Sequence, residues 1–234
     1  MWEVVERFVG KYEYALRLRG ELLQQRATLY AEAINNAGAP LEKCVGFIYC
    51  TKRKMARPSG NNSFQRSVYS GHKRIHCLIY QTITTPDGLM FALYGPEVGR
   101  RHDLTLYRES NWGEILEEYL LSDGEYYYIY GDSAYLLRPW MIRPFTRGVC
   151  SEQEAAFNTM MSEVRVSVEH NYKDVKQLWT SQDYLRNMKV LKAPIALLYK
   201  MSALLTNFRV CLYSGGQINH YYEIDPPSLD EYLT

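Results

Sequence analysis

Residues 75–94 read IHCLIYQTITTPDGLMFALY, and they specify the β part of the fold. Two runs rich in apolar and β-branched residues, 75–84 and 89–94, flank the sequence TPDG at 85–88. Proline presets φ in a turn and glycine accepts a positive φ, so TPDG favours a tight turn. The stretch therefore predicts a β-hairpin with a firm register.

The segments on both sides of this hairpin alternate between helical and extended patterns. Helical spacing of apolar residues covers 1–40, and an apolar run at 45–49 predicts a strand. After the hairpin the sequence predicts an interrupted helix over 104–121, a strand over 126–130 and an ordered loop over 131–150. A Ser151/Glu154 capping box then opens a helix from 151 to about 179. A helix over about 190–207 and a largely irregular acidic tail follow. This order predicts an α/β fold with a mixed sheet covered by helices, and an RNase H-like core is one arrangement compatible with it.

The composition is that of an ordinary globular protein. The 234 residues are 47% hydrophobic and 23% charged with a net charge of +1, which excludes disordered, collagen-like and coiled-coil classes. The five cysteines are scattered without a Cys-x-x-Cys pair, so the sequence predicts neither a disulfide framework nor a zinc ribbon. We find no uninterrupted apolar run of about 18 residues and no leader-like start, so the expectation is an intracellular chain without a membrane partner.

The charges are segregated along the chain. Residues 43–86 contain eight Lys or Arg and no acid, whereas 109–125 contain six acids and no base. A basic segment with interspersed Ser, Asn and Gln side chains suits a phosphate backbone, although a solvated basic loop is the simpler alternative. The candidate DNA-binding residues are Lys52, Arg53, Lys54, Arg57, Arg66, His72, Lys73 and Arg74.

Three carboxylates are candidate ligands of a divalent metal. Asp132 follows the predicted strand 126–130, where sites assemble at the carboxyl edge of a sheet, but an Asx-turn explains it equally well. Glu169 lies on a polar stripe of the long helix, where it is also a plausible i,i+4 partner of Arg165 or Lys173. Asp103 stands at the start of a predicted helix, for which an N-terminal cap is the simpler explanation.

A series of ordered motifs resembles the PIF/Harbinger-type DDE superfamily endonucleases, a transposase group with an RNase H-like catalytic domain. The motifs are, in chain order, GFI at 46–48, RPS at 57–59, VYSGHKR at 68–74, TPDG at 85–88, GRRHD at 99–103, GDSAY at 131–135 and RVSVE at 165–169. The resemblance runs from about residue 38 to residue 234. It divides the chain into an N-terminal helical segment (1–40), a nuclease domain (41–213) and an acidic tail (214–234).

The resemblance implies a metal site that this chain has lost in part. In the family three carboxylates bind Mg²⁺ or Mn²⁺, and two of them fall on Asp132 and Glu169, which are the implied catalytic residues. The first does not carry over, because the family reads Gly-Phe-Ile-Asp-Gly-Thr where residues 46–51 read GFIYCT. Tyr49 replaces the metal-bridging aspartate, and a phenol with a pKa of about 10 is a poor ligand for a hard cation at neutral pH. Asp103 is the residue that could compensate as a further metal ligand.

Two functions follow as expectations. The first is a transposase-derived, divalent-metal-dependent DDE endonuclease that hydrolyses or transfers DNA strands and is impaired by Tyr49, with weak metal binding at most. The alternative is an inactive module that binds DNA or protein through the basic segment. The resemblance further implies a nuclear location, DNA as partner, a separately encoded DNA-binding protein supplied in trans, and self-association as a homo-oligomer.

Overall fold

The computed structural model describes residues 2–146, 148–179, 194–214 and 216–234, and for 167–174 and 176 it describes the backbone only. The amino-terminal region is helical as predicted. It consists of α1 (Trp2–Tyr12), a 3-10 turn (Glu13–Leu16) and α2 (Gly20–Asn36).

A mixed sheet forms the centre of the fold. The strands are β1 (Cys44–Lys54), β2 (Tyr69–Ser70), β3 (Ile75–Thr84), β4 (Met90–Val98), β5 (Leu121–Ser122), β6 (Glu125–Tyr126), β7 (Tyr128–Tyr130) and β8 (Met141–Ile142). In the main sheet β3 lies between β4 and β1, β7 follows β1, and β8 is at the edge, while β2 pairs with the start of β3. β1 is antiparallel to β3 and parallel to β7.

Seven further helices are present among the described residues. They are α3 (Asn62–Ser67), α4 (Asp103–Glu109), α5 (Trp112–Tyr119), α6 (Glu152–Leu178), α7 (Ile195–Tyr213), α8 (Gln217–Tyr222) and α9 (Leu229–Leu233). The predicted capping box opens α6, because Ser151 Oγ accepts from the backbone N–H of Glu154 and the Glu154 carboxylate accepts from the backbone N–H of Ser151. The interruption predicted within 104–121 separates α4 from α5.

The predicted hairpin is the longest antiparallel pair besides β1 and β3. Strand β3 pairs with β4 through the turn at 85–88, and Gly88 has the positive φ of +86° that the turn sequence implies. The N–H of Gly88 donates to the carbonyl of Thr85 at 3.0 Å and closes the turn. The register is interrupted at two places along the pair.

Both faces of the sheet are buried, and successive side chains of β1 pack into different cores on the two faces. Ile48 packs in a core with α2 and α5, whereas Phe47 packs in a second core with α6 and α8. Successive side chains of a strand point to opposite faces, so Tyr49 follows Phe47 toward α6 and Cys50 follows Ile48 toward the other face. The predicted α/β fold is confirmed, and its strand order is consistent with an RNase H-like DDE nuclease fold.

Four expectations about local structure need correction. The single strand predicted over 126–130 is split between β6 and β7, and the predicted loop 131–150 contains β8, which pairs with β7 because it completes the sheet edge. Residues 214–234 are not largely irregular, since they contain α8 and α9. Tyr232 in α9 is fully buried and donates a hydrogen bond to the carbonyl of Ala15, so tertiary packing holds this acidic segment in place. The helix predicted over 190–207 is observed at 195–213, and residues 190–193 lie outside the described residues.

Helix α7 is long and apolar enough to cross a membrane by length and composition alone. A core helix of a globular protein meets the same criterion, and 44% of the qualifying window is buried inside the fold. Lys200 and Arg209 interrupt its apolar sequence. Buried α7 residues such as Tyr199 and Leu204 pack with β4 and α9 in one core cluster.

Candidate active site and basic groove

Asp132 lies two residues beyond the end of β7, the strand that pairs with β1, on which Tyr49 lies. Phe47 pairs with Tyr130 in the parallel register, and the pairing of the two strands ends there. Arg165 links the two positions, because it contacts the Tyr49 ring and lines a cavity with Asp132. Gly131 leaves room for the Tyr135 ring, because a Cβ there would lie 2.7 Å from Cδ2 of Tyr135. Asp132 Oδ1 accepts a hydrogen bond from the backbone N–H of Ala134 at 2.9 Å, so the Asx-turn interpretation is confirmed for this side chain.

Tyr49 fills part of the space between β1 and α6. Its half-buried ring packs on the core beside α7, and the Arg165 guanidinium carbon lies 5.5 Å from the ring centroid. This is a cation–π contact. At the position where the family resemblance implies a metal-binding aspartate, the protein therefore has an aromatic ring in contact with a positively charged side chain.

Asp103 is brought to the same edge of the sheet by the connection between β4 and α4. It is the first residue of α4 rather than its N-cap; His102 holds that position and makes no side-chain cap, so the cap interpretation is wrong. Burial raises the pKa of Asp103, and the charge of Asp132 raises it further, while Lys52, a hydrogen bond with Cys50 and His102 oppose the shift. The two aspartates are thus close enough to interact electrostatically.

A polar network ties Asp103 to the sheet on the face opposite Tyr49. Gln81 donates from Nε2 to the Tyr135 hydroxyl at 2.8 Å and to the Asp103 carbonyl at 3.4 Å. Burial, together with the Asp103 charge, raises the pKa of the Cys50 thiol, so Cys50 is a neutral neighbour of the acid. The sequence offered no signal for Gln81, because it acts through a contact between distant parts of the chain, whereas Tyr135 stands in the motif GDSAY without a role assigned to it.

Glu169, the third predicted carboxylate, lies in α6 as expected, but its side chain lies outside the described residues. Met161 and Val164 of the same helix are buried, and Asn158, Ser162 and Arg165 line a cavity with Asp132. Among residues whose side chains are described, no three His, Cys, Asp or Glu groups are arranged to hold a metal ion.

A basic groove of about 770 Å³ runs beside these acids. Four of the predicted DNA-binding residues line it: Lys52, Arg57, Arg66 and His72. Lys52 faces Asp103, since it follows Cys50 on the same side of β1 and acts on the pKa of Asp103. The groove thus continues to the acidic edge of the sheet.

The other predicted DNA-binding residues do not line the groove. Lys54, Lys73 and Arg74 are exposed. Arg53 points to the opposite face of the sheet, where only 8% of it is exposed and its guanidinium carbon lies 4.2 Å from the Tyr199 ring centroid. Its assignment to a DNA-binding surface therefore needs correction, because a buried guanidinium cannot reach a phosphate backbone.

Besides His76, three consecutive Arg or His residues of the groove were not among the predicted contacts. They are Arg100, Arg101 and His102, which directly precede Asp103. Gly99 allows the chain to enter the groove here, since a Cβ would lie 2.4 Å from the Val68 carbonyl oxygen. Glu109 and Glu97 hold Arg101 at 2.5 Å and 3.5 Å. The run GRRH at 99–102 was the available signal, because it joins two arginines to a candidate acid.

The comparisons with known proteins agree with this arrangement at the level of the family. No curated protein and no solved structure matches the chain significantly. The family model described as DDE superfamily endonuclease matches residues 48–207, which is more than half of the chain and includes both β1 beyond Phe47 and most of α7. With its RNase H-like sheet and its acids at the carboxyl edge, the protein belongs to the DDE superfamily endonuclease family.

Proposed function

We propose that this protein is a transposase-derived DDE endonuclease domain of the PIF/Harbinger type, which holds DNA in the basic groove and in which metal-dependent phosphodiester cleavage is impaired. One observation carries the proposal: Tyr49 lies where the resemblance places the first metal-binding aspartate, and the Arg165 guanidinium, which lines a cavity with Asp132, lies over its ring. The loss of an acid and the presence of a cation both act against a divalent metal at this position.

The described residues do not fit a divalent cation. A hard cation prefers several carboxylate or carbonyl oxygens. Asp132 uses one carboxylate oxygen in its own turn, and among the residues whose side chains are described no three His, Cys, Asp or Glu groups surround a cation position. Tyr49 supplies a phenol instead of a carboxylate. No cleavage step is therefore assigned to a metal ion, and catalysis through Asp103 in place of the lost aspartate is not supported.

Binding to DNA without efficient cleavage is the function that the remaining geometry favours. The groove gathers Lys52, Arg57 and Arg66 from separate segments, and the loops around it add Arg100. No acid lines it among the described residues. Phosphate contacts of this kind are indifferent to sequence and weaken steeply with salt.

Plasmid nicking and Mn²⁺ calorimetry test the metal part of the proposal. We expect the natural protein to bind Mn²⁺ weakly and to nick supercoiled plasmid slowly or not at all. Tyr49→Asp should tighten Mn²⁺ binding by about tenfold or more, because it restores a carboxylate where the resemblance places the first metal-binding aspartate. Tyr213→Asp adds the same charge at an exposed position and is the matched control. Rapid nicking by the natural protein that Asp132→Ala abolishes, or unchanged Mn²⁺ binding in Tyr49→Asp, would contradict the proposal.

The salt dependence of duplex binding tests the groove. Replacing Lys52, Arg57 and Arg66 together by Gln should make the salt dependence of duplex binding shallower. The steepness of the fall of log K, the association constant, with log salt should decrease by about three, since each lost phosphate contact contributes about one. Arg7→Gln, an exposed change on α1, should leave the slope unaltered. Equal binding by the triple variant and the natural protein would show that DNA does not occupy this groove.

A further inference from the structure

A second cavity lies on the α6 side of the sheet edge. It encloses about 620 Å³ between the end of β7, the segment 143–146 that follows β8, and α6. Asp132 and Ser133 form one wall, and Arg143, Ser162 and Arg165 contribute the others. It shares no lining residue with the basic groove, so it is a separate place for a ligand.

Two arginines give this cavity its chemical character. Arg143 donates from one guanidinium nitrogen to the Ser133 carbonyl at 3.0 Å, which fixes its direction and leaves further N–H donors. Arg165 rests on the face of Tyr49, and a stacked guanidinium keeps its N–H edge available. Among the residues whose side chains are described, no carboxylate forms an ion pair with either arginine.

Asp132 is the one acid among the described lining residues of the cavity, and it does not cancel these charges. Asp132 turns one carboxylate oxygen toward the backbone N–H of Ala134. Among the lining side chains that the structure describes, two guanidinium groups stand against one carboxylate, which favours an anion over a cation.

We propose that this cavity binds a phosphate group of a nucleic-acid strand directly through Arg143 and Arg165, with no metal ion between protein and phosphate. The inference rests on the proposed function, since it names the ligand chemistry of the impaired site. The planar guanidinium fork matches two phosphate oxygens, and the hydroxyls of Ser133 and Ser162 are further donors at the wall.

The cavity wall is held in place before a ligand binds. Asn158 of α6 accepts from the Phe145 N–H at 2.9 Å and donates to the Phe145 carbonyl at 3.0 Å. The Phe145 ring also contacts Phe157 edge to face with centroids 5.3 Å apart. A segment fixed in this way loses little conformational entropy on binding, which favours affinity for a small anion.

The experiment uses the full chain in EDTA, with inorganic phosphate and a short single strand, with or without a 5′-phosphate, as probes in calorimetry. We expect Arg143→Gln and Arg165→Gln each to weaken phosphate binding by about tenfold or more, as loss of a charge-assisted hydrogen bond does. Arg138→Gln, an exposed change in the connection between β7 and β8, is the matched control and should leave the affinity unchanged. Arg165→Lys keeps the charge without the fork and should recover part of the affinity, and thermal unfolding checks that each variant is folded.

The two kinds of strand identify the source of the phosphate. If strand binding requires the 5′-phosphate and is lost in both Gln variants, the cavity binds a terminal phosphate. If the strand without a 5′-phosphate also binds, and this binding is lost in both Gln variants, the cavity binds a backbone phosphate. Tyr49→Asp should weaken phosphate binding while it tightens Mn²⁺ binding. Equal phosphate affinity in the natural protein and both Gln variants would overturn the inference. The proposed function is tested separately, by the duplex binding of the variant in which Lys52, Arg57 and Arg66 are replaced by Gln.

Discussion

Aspartates lie at both ends of the central sheet, and their surroundings differ. At the hairpin end Asp87 is fully buried and saturated with donors. At the carboxyl ends of β4 and β7, Asp103 and Asp132 are half-buried, and the charge of Asp132 raises the pKa of Asp103. The difference teaches that an acid surrounded by donors serves the fold, whereas acids that face each other beside open cavities are available to a ligand.

Asp87 accepts two hydrogen bonds within the hairpin and one from α2, and it forms an ion pair with a second residue of α2. Thr85 Oγ1 donates to Oδ1 at 2.6 Å, and the Leu89 N–H reaches the same oxygen at 3.3 Å. The Tyr30 hydroxyl donates a short hydrogen bond to Oδ2, and Arg26 Nε lies 3.7 Å from it. Burial raises the pKa of Asp87 although all these donors lower it, which shows how completely water is excluded.

Asp87→Ala should produce the largest effect on stability. Removing the carboxylate leaves the buried hydroxyls of Tyr30 and Thr85 without their acceptor, and losses of about 3 kcal/mol or more are typical when a buried hydrogen-bonded charge network is broken. Urea unfolding measures it, and Glu118→Ala, an exposed change on α5, is the control. A loss no larger than that of the control would mean that this end of the sheet does not depend on its acid.

Tyr30→Phe sharpens the same contrast with a smaller change. It deletes one donor to Asp87 and one acceptor of Arg26 Nε, which lies 2.9 Å away, and keeps the ring in its buried place. We expect a loss of about 1.5–3 kcal/mol in the free energy of unfolding, since the bond involves a charged acceptor. Duplex affinity should stay the same; a change in DNA binding would mean that the two ends of the sheet are coupled.

Arg53→Met compares the two faces of β1. Arg53 is buried with Nε and one terminal nitrogen unpartnered, and a hydrophobic side chain of similar length often replaces a buried ion at little cost. We expect the free energy of unfolding to change by no more than about 1 kcal/mol and duplex affinity by less than about twofold. Lys52→Gln, one residue away in the groove, should weaken duplex binding in the same assay. A larger loss of duplex binding in Arg53→Met than in Lys52→Gln would contradict the observed facing of the strand.

Asp103→Asn should have the smallest effect, and it depends on pH. The pKa of Asp103 is higher in the folded state than in the unfolded state. Its favourable contribution to the free energy of unfolding is therefore complete at a pH below the unfolded-state pKa, and it is lost as the pH rises through the folded-state pKa. The Asn variant lacks this loss, so its stability relative to the natural protein should increase with pH. Urea midpoints between about pH 4 and 8 measure the difference. A constant difference across this range would mean that Asp132 and burial do not act on Asp103.

Local signals in the sequence were sufficient for most of the regular elements. The TPDG turn, the Ser151/Glu154 capping box and the apolar periods of α6 depend on neighbours within a few residues, and the structure contains each of them. The short strand β8 and the helices α8 and α9 were missed, because each is stabilised by partners far away in the chain. Short segments carry little periodicity of their own.

The sequence alone determined that an acid is absent at Tyr49, that Asp132 follows a strand, and that 43–86 is basic, since these depend only on residue identity and local pattern. Tertiary structure decided which cations share a groove, that Arg53 is buried while Lys52 is not, and that Arg165 covers Tyr49. The physical reason is that the number of charges in a segment does not say where each side chain points. Strand alternation and contacts between distant segments assign each side chain to a face of the sheet, and both are fixed only in the folded chain.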